Sequence, residues 1–245
     1  MKKLRVNEIY QTFAGEGPHV GEMTTFIRFG GCNLRCPGWG VKTELPGGEM
    51  VVGCDTPHAV FPELYKDDPK MTAREIMEKV PKFPLRVTIT GGEPFMQPTE
   101  ELRMLLYCLI DEDHSIDIFT NGTLPYDSYA DLLALPQVSL CVDYKMPGSG
   151  EFGKFRNSNL DFLDSDDEIK FVIKDENDYI TAKSILEKIV STRPDLSFSI
   201  GPVWGEIEPG DIVGWILRDK LEVKLNLQTH QLIGVNEAER DWHFE

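Results

Sequence analysis

Seven runs rich in β-branched and aromatic residues, at 25–29, 85–90, 116–120, 138–142, 169–173, 196–200 and 222–227, punctuate this chain. Between them lie stretches whose apolar residues recur at helical spacing. Parallel strands need a crossover between them, and a helix is the crossover that also covers the face of the sheet. Alternation at roughly 25–30 residues per unit is therefore the pattern of βαβ units and a mostly parallel sheet. About six units fit, short of a full eight-fold barrel. One helix opens on a capping box, Thr72-Ala73-Arg74-Glu75, with Ile76, Met77 and Val80 behind it. The others are marked by Leu102, Leu105, Leu106 and Leu109, by Tyr129, Leu132 and Leu133, by Ile180, Ile185 and Ile189, and by Ile212, Trp215 and Ile216.

Two segments break the rhythm. Residues 37–71 are rich in Gly and Pro, and residues 145–168 in Gly, Ser, Asn and Asp; both read as long functional loops and not as domain boundaries. One domain over residues 1–245 is expected, with the first loop as an insertion. Ordinary apolar and charged fractions, 41% and 27%, exclude global disorder. The net charge of −16 repels phosphate backbones and anionic lipid, so neither nucleic acid nor membrane is an expected partner. No apolar run reaches the length of a membrane span, and no secretory segment follows the charged start. A cytoplasmic location, where thiols stay reduced, is the expectation.

Three of the five cysteines crowd into residues 32–54. Cys32 and Cys36 form a Cys-x3-Cys pair directly after a strand, and Cys54 follows after 17 further residues. Three thiolates can hold three irons of a 4Fe–4S cluster and leave the fourth open to a ligand. Spacing alone leaves two other readings: three unrelated buried thiols, or a zinc site completed by His19 or His58. Cys108 and Cys141, in apolar surroundings, read as core thiols. The second feature is Thr90-Gly91-Gly92-Glu93-Pro94 at the carboxyl end of a strand. Paired glycines let a backbone approach a ligand closely there, and Glu93 can accept from an ammonium group.

Together these features resemble the radical S-adenosylmethionine enzymes. The flanks narrow the resemblance. Glu8-Ile9-Tyr10-Gln11-Thr12-Phe13-Ala14-Gly15-Glu16-Gly17, the segment from Phe26 to Cys36, Cys54-Asp55-Thr56, Thr120-Asn121-Gly122-Thr123, Val142-Asp143-Tyr144-Lys145 and Asn226-Leu227-Gln228-Thr229-His230 are similar, in order, to the 7-carboxy-7-deazaguanine synthase family. That family's usual third cysteine would fall at Trp39. Because Asp55-Thr56 follows Cys54 as it follows the family's third cysteine, an insertion inside the cluster loop is inferred. Ala14 replaces a frequent glutamine, and the tail after His230 is longer than in compact members.

The resemblance implies an α/β fold, an incomplete TIM-like (β/α)6 barrel with its site at the carboxyl ends of the strands. It implies that Cys32, Cys36 and Cys54 bind the 4Fe–4S cluster, with S-adenosylmethionine on the fourth iron. Gly92, Asp143, Tyr144 and Lys145 would contact S-adenosylmethionine. Phe13, Ala14 and Gly15 through their backbone, with Arg28, Thr90 and His230, would hold the pterin substrate, Arg28 and Thr90 at the reacting centre. Thr56 would be a Mg²⁺ ligand. The implied reaction is a radical ring contraction of 6-carboxy-5,6,7,8-tetrahydropterin to 7-carboxy-7-deazaguanine with loss of ammonia, in queuosine-type 7-deazapurine biosynthesis. A flavodoxin- or ferredoxin-type reductant and a homodimer come with it. Two other classes stand beside it: a radical activating enzyme acting on a partner protein, and a non-enzymatic, metal-stabilised binding module.

Overall fold

The computed structural model describes residues 2–233; most of the tail after His230 lies outside them. Strands β1 (Leu4–Phe13) and β2 (Met23–Phe29) open the chain. A hairpin of β3 (Val41–Glu44) and β4 (Met50–Gly53), two single-turn helices α1 (Pro57–Val60) and α2 (Pro62–Tyr65), and the two-residue β5 (Lys70–Met71) fill the first loop. Helix α3 (Ala73–Met77) leads to β6 (Arg86–Gly91), α4 (Thr99–Asp111), β7 (Ser115–Thr120), α5 (Ala130–Leu133) and β8 (Val138–Asp143). After the second loop come β9 (Glu168–Ile173), α6 (Glu176–Val190), β10 (Ser197–Pro202), α7 (Pro209–Asp219), β11 (Lys224–Leu225) and α8 (Thr229–Leu232).

One nine-stranded sheet runs in the order β11-β10-β9-β8-β7-β6-β2-β1-β5. From β2 to β11 all neighbours are parallel, whereas β1 and β5 are antiparallel additions at one edge. Among the described residues the edges do not pair with one another, so the expected incomplete α/β barrel stands. Thr72 caps α3 through the full capping box, its hydroxyl accepting from the Glu75 N–H while Glu75 reaches back.

Side chains alternate across a strand, and here both faces are buried by different chemistry. Ile27, Phe29, Val87, Ile89, Ile116, Ile118, Leu140, Val142 and Phe171 belong to the main apolar core, which continues into Leu102, Leu105, Leu106 and Leu109 of α4. The intervening positions, Arg28, Thr88, Asp117, Ser139, Lys170 and Ser199, are polar and equally buried. They pair inside the sheet's concave side: the Thr24 and Thr88 hydroxyls lie 2.8 Å apart, and Ser199 donates to Glu168 at 2.6 Å.

Three expectations change. β1 is a ten-residue strand that the pattern hides, because a register shift between Val6 and Glu8 interrupts its alternation. The last strand shrinks from 222–227 to Lys224–Leu225, since only these residues reach Ser199 and Ile200 at the sheet edge. The helix at Tyr129–Leu133 is a single turn.

Two buried carboxyls make the fold's stability pH-dependent. Asp167 accepts the N–H groups of Leu140 (2.6 Å) and Asp164 (2.9 Å), and Glu93 those of Phe95 and Asn121; burial raises both pKa values to about 7. A carboxyl whose folded pKa lies above its unfolded value binds more protons when folded. Its stabilising effect is complete below the unfolded pKa, near 4, and is lost as pH rises through about 7. The lowered carboxyls Glu75 and Asp219, both at about 2, act in the opposite sense, but only below pH 4.5. The cluster-free chain should therefore be less stable at pH 7.5 than at pH 5, by on the order of 1–3 kcal/mol, and its Tm correspondingly lower. Asp167→Asn should flatten that slope. A Tm that is level or rising over this interval would show that neither carboxyl is raised.

Candidate active site

The carboxyl ends of β2 and β6–β9 surround a cavity of about 1570 Å³. Cys32, Cys36 and Cys54 all line it. Cys32 follows β2 across Gly30-Gly31. Cys36 adopts the left-handed backbone conformation, φ 48°, immediately before a 3₁₀ turn at Pro37–Trp39. Cys54 leaves the end of β4. The 17-residue gap is thus closed by local structure: Val41 and Gly53 are cross-strand partners, so the hairpin returns the chain to where it departed. An insertion built as a hairpin leaves its two ends adjacent. Gly53 passes so close to Arg35 that an added Cβ would stand 2.7 Å from the Arg35 carbonyl oxygen.

Burial raises the pKa of all three thiols, that of Cys36 to about 12, and Lys145 opposes the shift at each. Lys145 donates to Asp143 at 2.8 Å and lies 4.0 Å above the Trp39 ring. Asp143 also faces Lys170 (3.8 Å), which pairs with Glu16 at 3.0 Å. Asp143 Oδ1 and Glu16 Oε2 are buried with no hydrogen-bond partner among the described residues. The Tyr144 ring does not reach the cavity; it stacks on Phe155 at 4.3 Å and packs against Phe171. Its N–H donates to Lys170 O within the sheet.

On the opposite wall, Arg28 and Thr90 are adjacent in register on β2 and β6, and Glu8 of β1 stands beside Arg28. Arg28 is only 4% exposed and so is not a surface residue of its strand. Its Nε donates to Glu8 Oε1 at 2.5 Å and an Nη to the Tyr10 hydroxyl at 3.1 Å. For Glu8, burial raises the pKa, but His58 and Arg28 together outweigh it and hold the carboxyl below its usual range. His58 Nε2 is 3.6 Å from the same Glu8 oxygen.

The first and last segments meet across the cavity mouth. Thr229 donates its N–H (2.9 Å) and hydroxyl (3.1 Å) to Gly15 O, and His230 fills the space a side chain at Gly15 would need. Ala14 departs from expectation. It lies behind the wall, with its N–H on Glu22 O and its C=O accepting from Gly21, so neither backbone group faces the cavity. Gly92 donates to Phe29 O, and a Cβ there would strike Gly31 O at 2.2 Å. Glu93 is not an ammonium acceptor. Its carboxylate is fully buried, held by Phe95 N–H, Asn121 N–H and the Thr120 hydroxyl. Thr56 lines the cavity with its hydroxyl 3.3 Å from Cys54 Sγ.

The sequence model of the radical SAM superfamily matches residues 26–143. A 7-carboxy-7-deazaguanine synthase from Koribacter versatilis is 35% identical, over 96% of this chain and 99% of that protein. Another, from Methanospirillum hungatei, is 32% identical over 95% and 86%. The chain belongs to the 7-carboxy-7-deazaguanine synthase family. The fold agrees: the crystal structure of QueE from Escherichia coli superposes with a TM-score of 0.64, at 18% identity, over 91% of this chain and 92% of that one.

Membership of a radical SAM family implies a 4Fe–4S cluster and S-adenosylmethionine, and the residues fit them. Three thiols face one cavity beside a buried lysine that favours their ionised form. Zinc fits poorly. His19 lies at the amino ends of β6 and β7, bonded to Asp117 at 2.9 Å. The other histidine considered, His58, lines the cavity but faces Glu8 Oε1 at 3.6 Å. Sequence reasoning gave no role to Glu8 or Lys170. Lys170 had a visible signal, a lone lysine inside the apolar run Ile169-Lys170-Phe171-Val172-Ile173. Glu8 opened a recognisable motif, but its pairing with Arg28 becomes visible only when β1 is laid against β2.

Proposed function

We propose that this chain converts 6-carboxy-5,6,7,8-tetrahydropterin to 7-carboxy-7-deazaguanine and ammonia, in queuosine-type 7-deazapurine biosynthesis. The observation that carries the reading is that Cys32, Cys36, Cys54, Arg28, Thr90 and the Gly15–His230 contact all border one cavity. Pockets for a single ligand run roughly 300–1,000 Å³. This one is larger, with room for a cofactor and a substrate side by side. When bound, the reduced cluster with S-adenosylmethionine supplies the radical that abstracts hydrogen from the pterin. Cys32, Cys36 and Cys54 hold the cluster; Gly92, Asp143 and Lys145, with the Tyr144 backbone, hold S-adenosylmethionine. Phe13, Gly15 and His230 bind the pterin. Arg28, oriented by Glu8, pairs with its carboxylate, and Thr90 sits beside that pair.

Thr56 is the proposed Mg²⁺ ligand, with substrate oxygens and water completing a hard-cation shell. Its hydroxyl must then turn from Cys54 toward the substrate. The chain is read as a single domain, a cytoplasmic homodimer served by a flavodoxin- or ferredoxin-type reductant. Among the described residues no helix is long and apolar enough to cross a membrane. An activating enzyme for a partner protein has no use for a buried Arg28–Glu8 pair, and a binding module has none for an open cluster.

The test is anaerobic reconstitution followed by iron analysis and turnover. About four irons per chain and formation of the deazaguanine are expected. Turnover should fall when Mg²⁺ is withheld, and Thr56→Ala should weaken that dependence without iron loss. Turnover indifferent to Mg²⁺ removes the metal; no product from an iron-loaded protein removes the pterin.

A further inference from the structure

We propose that Glu151 is a positioning residue for Cys36, its carboxylate serving as the acceptor that holds the cluster loop in its left-handed turn. The inference rests on the reading of Cys36 as a cluster ligand and extends it to a residue remote in sequence. Glu151 Oε1 accepts the N–H of Arg35 at 2.7 Å and that of Cys36 at 3.2 Å. Its other oxygen pairs with Lys154, and the side chain is 7% exposed.

The need for such an acceptor follows from the backbone. Cys36 has φ 48°, a conformation that L-residues with a Cβ adopt only when their surroundings impose it. Just beyond it, the loop lies directly on residues 148–150. A Cβ at Gly38 would stand 1.8 Å from Gly148 O, and Gly150, φ +77°, packs against Pro37. Backbone packed this closely against backbone restricts water at the buried Cys36, so N–H groups beside the contact gain from a protein acceptor. Glu151 supplies one for two successive amides. Ser149 fixes the approach, its hydroxyl donating to Met146 O at 2.6 Å and accepting from Glu151 N–H at 3.1 Å. On the far side, Lys174 Nζ donates to Gly38 O at 2.7 Å.

The Cys32 end of the loop is held by different partners. Asn33 bridges Thr123 (2.7 Å) and Asn121 (3.0 Å). Removing Glu151 therefore releases the Arg35–Cys36 end and leaves the Cys32 end held. The anchor also continues the chain from Asp143 and Lys145, so one segment touches both the cluster loop and the proposed S-adenosylmethionine wall.

The experiment compares wild type, Glu151→Ala, Glu151→Gln and Lys154→Ala as full chains with reconstituted clusters. Iron release to a chelator and residue-resolved amide exchange are the readouts. Glutamine keeps a carbonyl oxygen for both amides. In Glu151→Ala, iron should leave about tenfold faster, with the Arg35 and Cys36 amides exchanging at least tenfold faster and the β6–β9 amides unchanged. Glu151→Gln and Lys154→Ala should stay within about twofold of wild type on both. Wild-type iron retention and amide protection in Glu151→Ala would overturn the proposal, as would loosening that spreads into the sheet, or a Gln variant as poor as Ala. Wild-type protein that takes up no iron would instead defeat the cluster reading of Cys36, and this inference with it.

Discussion

Alanine at Cys32, Cys36 or Cys54 is expected to abolish S-adenosylmethionine cleavage and to cut iron retention sharply, with the far-ultraviolet circular dichroism unchanged. Each thiol sits on a loop at the carboxyl end of the sheet and none belongs to the main apolar core. Cys32 and Cys54 pack against the small apolar cluster of Leu45, Val60 and Phe61, so losing a thiol removes a ligand and leaves the main core in place. Structural damage is separable from ligand loss because β2, β4 and the 3₁₀ turn are fixed by their own backbone bonds. Cys54→Ala is the informative variant. The β3–β4 hairpin places Gly53 opposite Val41, and so sets Cys54 beside the turn that contains Trp39. If that is why a distant cysteine serves as third ligand, Cys54→Ala must be as inactive as the other two. Cleavage that survives in Cys54→Ala places the third ligand elsewhere.

That hairpin also marks where sequence reading stops. The parallel strands were legible because Ile27, Ile89, Ile118, Val142 and Phe171 repeat one environment at βαβ spacing, and periodicity reports environment. The hairpin was not. Val41-Lys42-Thr43-Glu44 and Met50-Val51-Val52-Gly53 are mostly half-exposed to exposed, so little burial writes a pattern into them. β1 failed for another reason: its Glu8 faces a site and not a core, and the bulge before it breaks the two-residue period.

The site divides in the same way. Residues whose role depends on their own side-chain chemistry, the cysteines and Arg28, stood out by type and flank. Residues whose role depends on what the fold brings opposite them did not. Glu151 means nothing until residues 35–36 are laid against it. Tyr144 and Ala14 show the converse. Both belong to recognisable motifs, yet the Tyr144 ring packs between Phe155 and Phe171, and Ala14 spends its backbone inside the β1–β2 turn. A motif marks a stretch of chain, but strand pleat and turn geometry decide which of its atoms reach the cavity.

Arg28→Ala is expected to lower kcat/KM by roughly 30-fold or more, with the cluster spectrum and S-adenosylmethionine binding preserved. The guanidinium is 4% exposed, between Glu8, Tyr10 and the cavity. Removing one partner of a buried charged contact costs on the order of 2–5 kcal/mol, much of it because the other charge is left unpaired. Here the substrate carboxylate loses its partner and Glu8 is left with His58 alone. Arg28→Lys should recover only part of the loss, since an ammonium cannot span Glu8, the Tyr10 hydroxyl and a carboxylate with the geometry of a planar fork. Glu8→Gln separates orientation from charge. It keeps an acceptor for Arg28 Nε, so it should raise KM modestly while leaving kcat near wild type. An exposed ion pair is worth about 0–1 kcal/mol, and near-normal turnover in Arg28→Ala would mean that no carboxylate meets this residue in the working enzyme. The pterin would then have to lie elsewhere in the cavity, and the activating-enzyme reading would regain its standing.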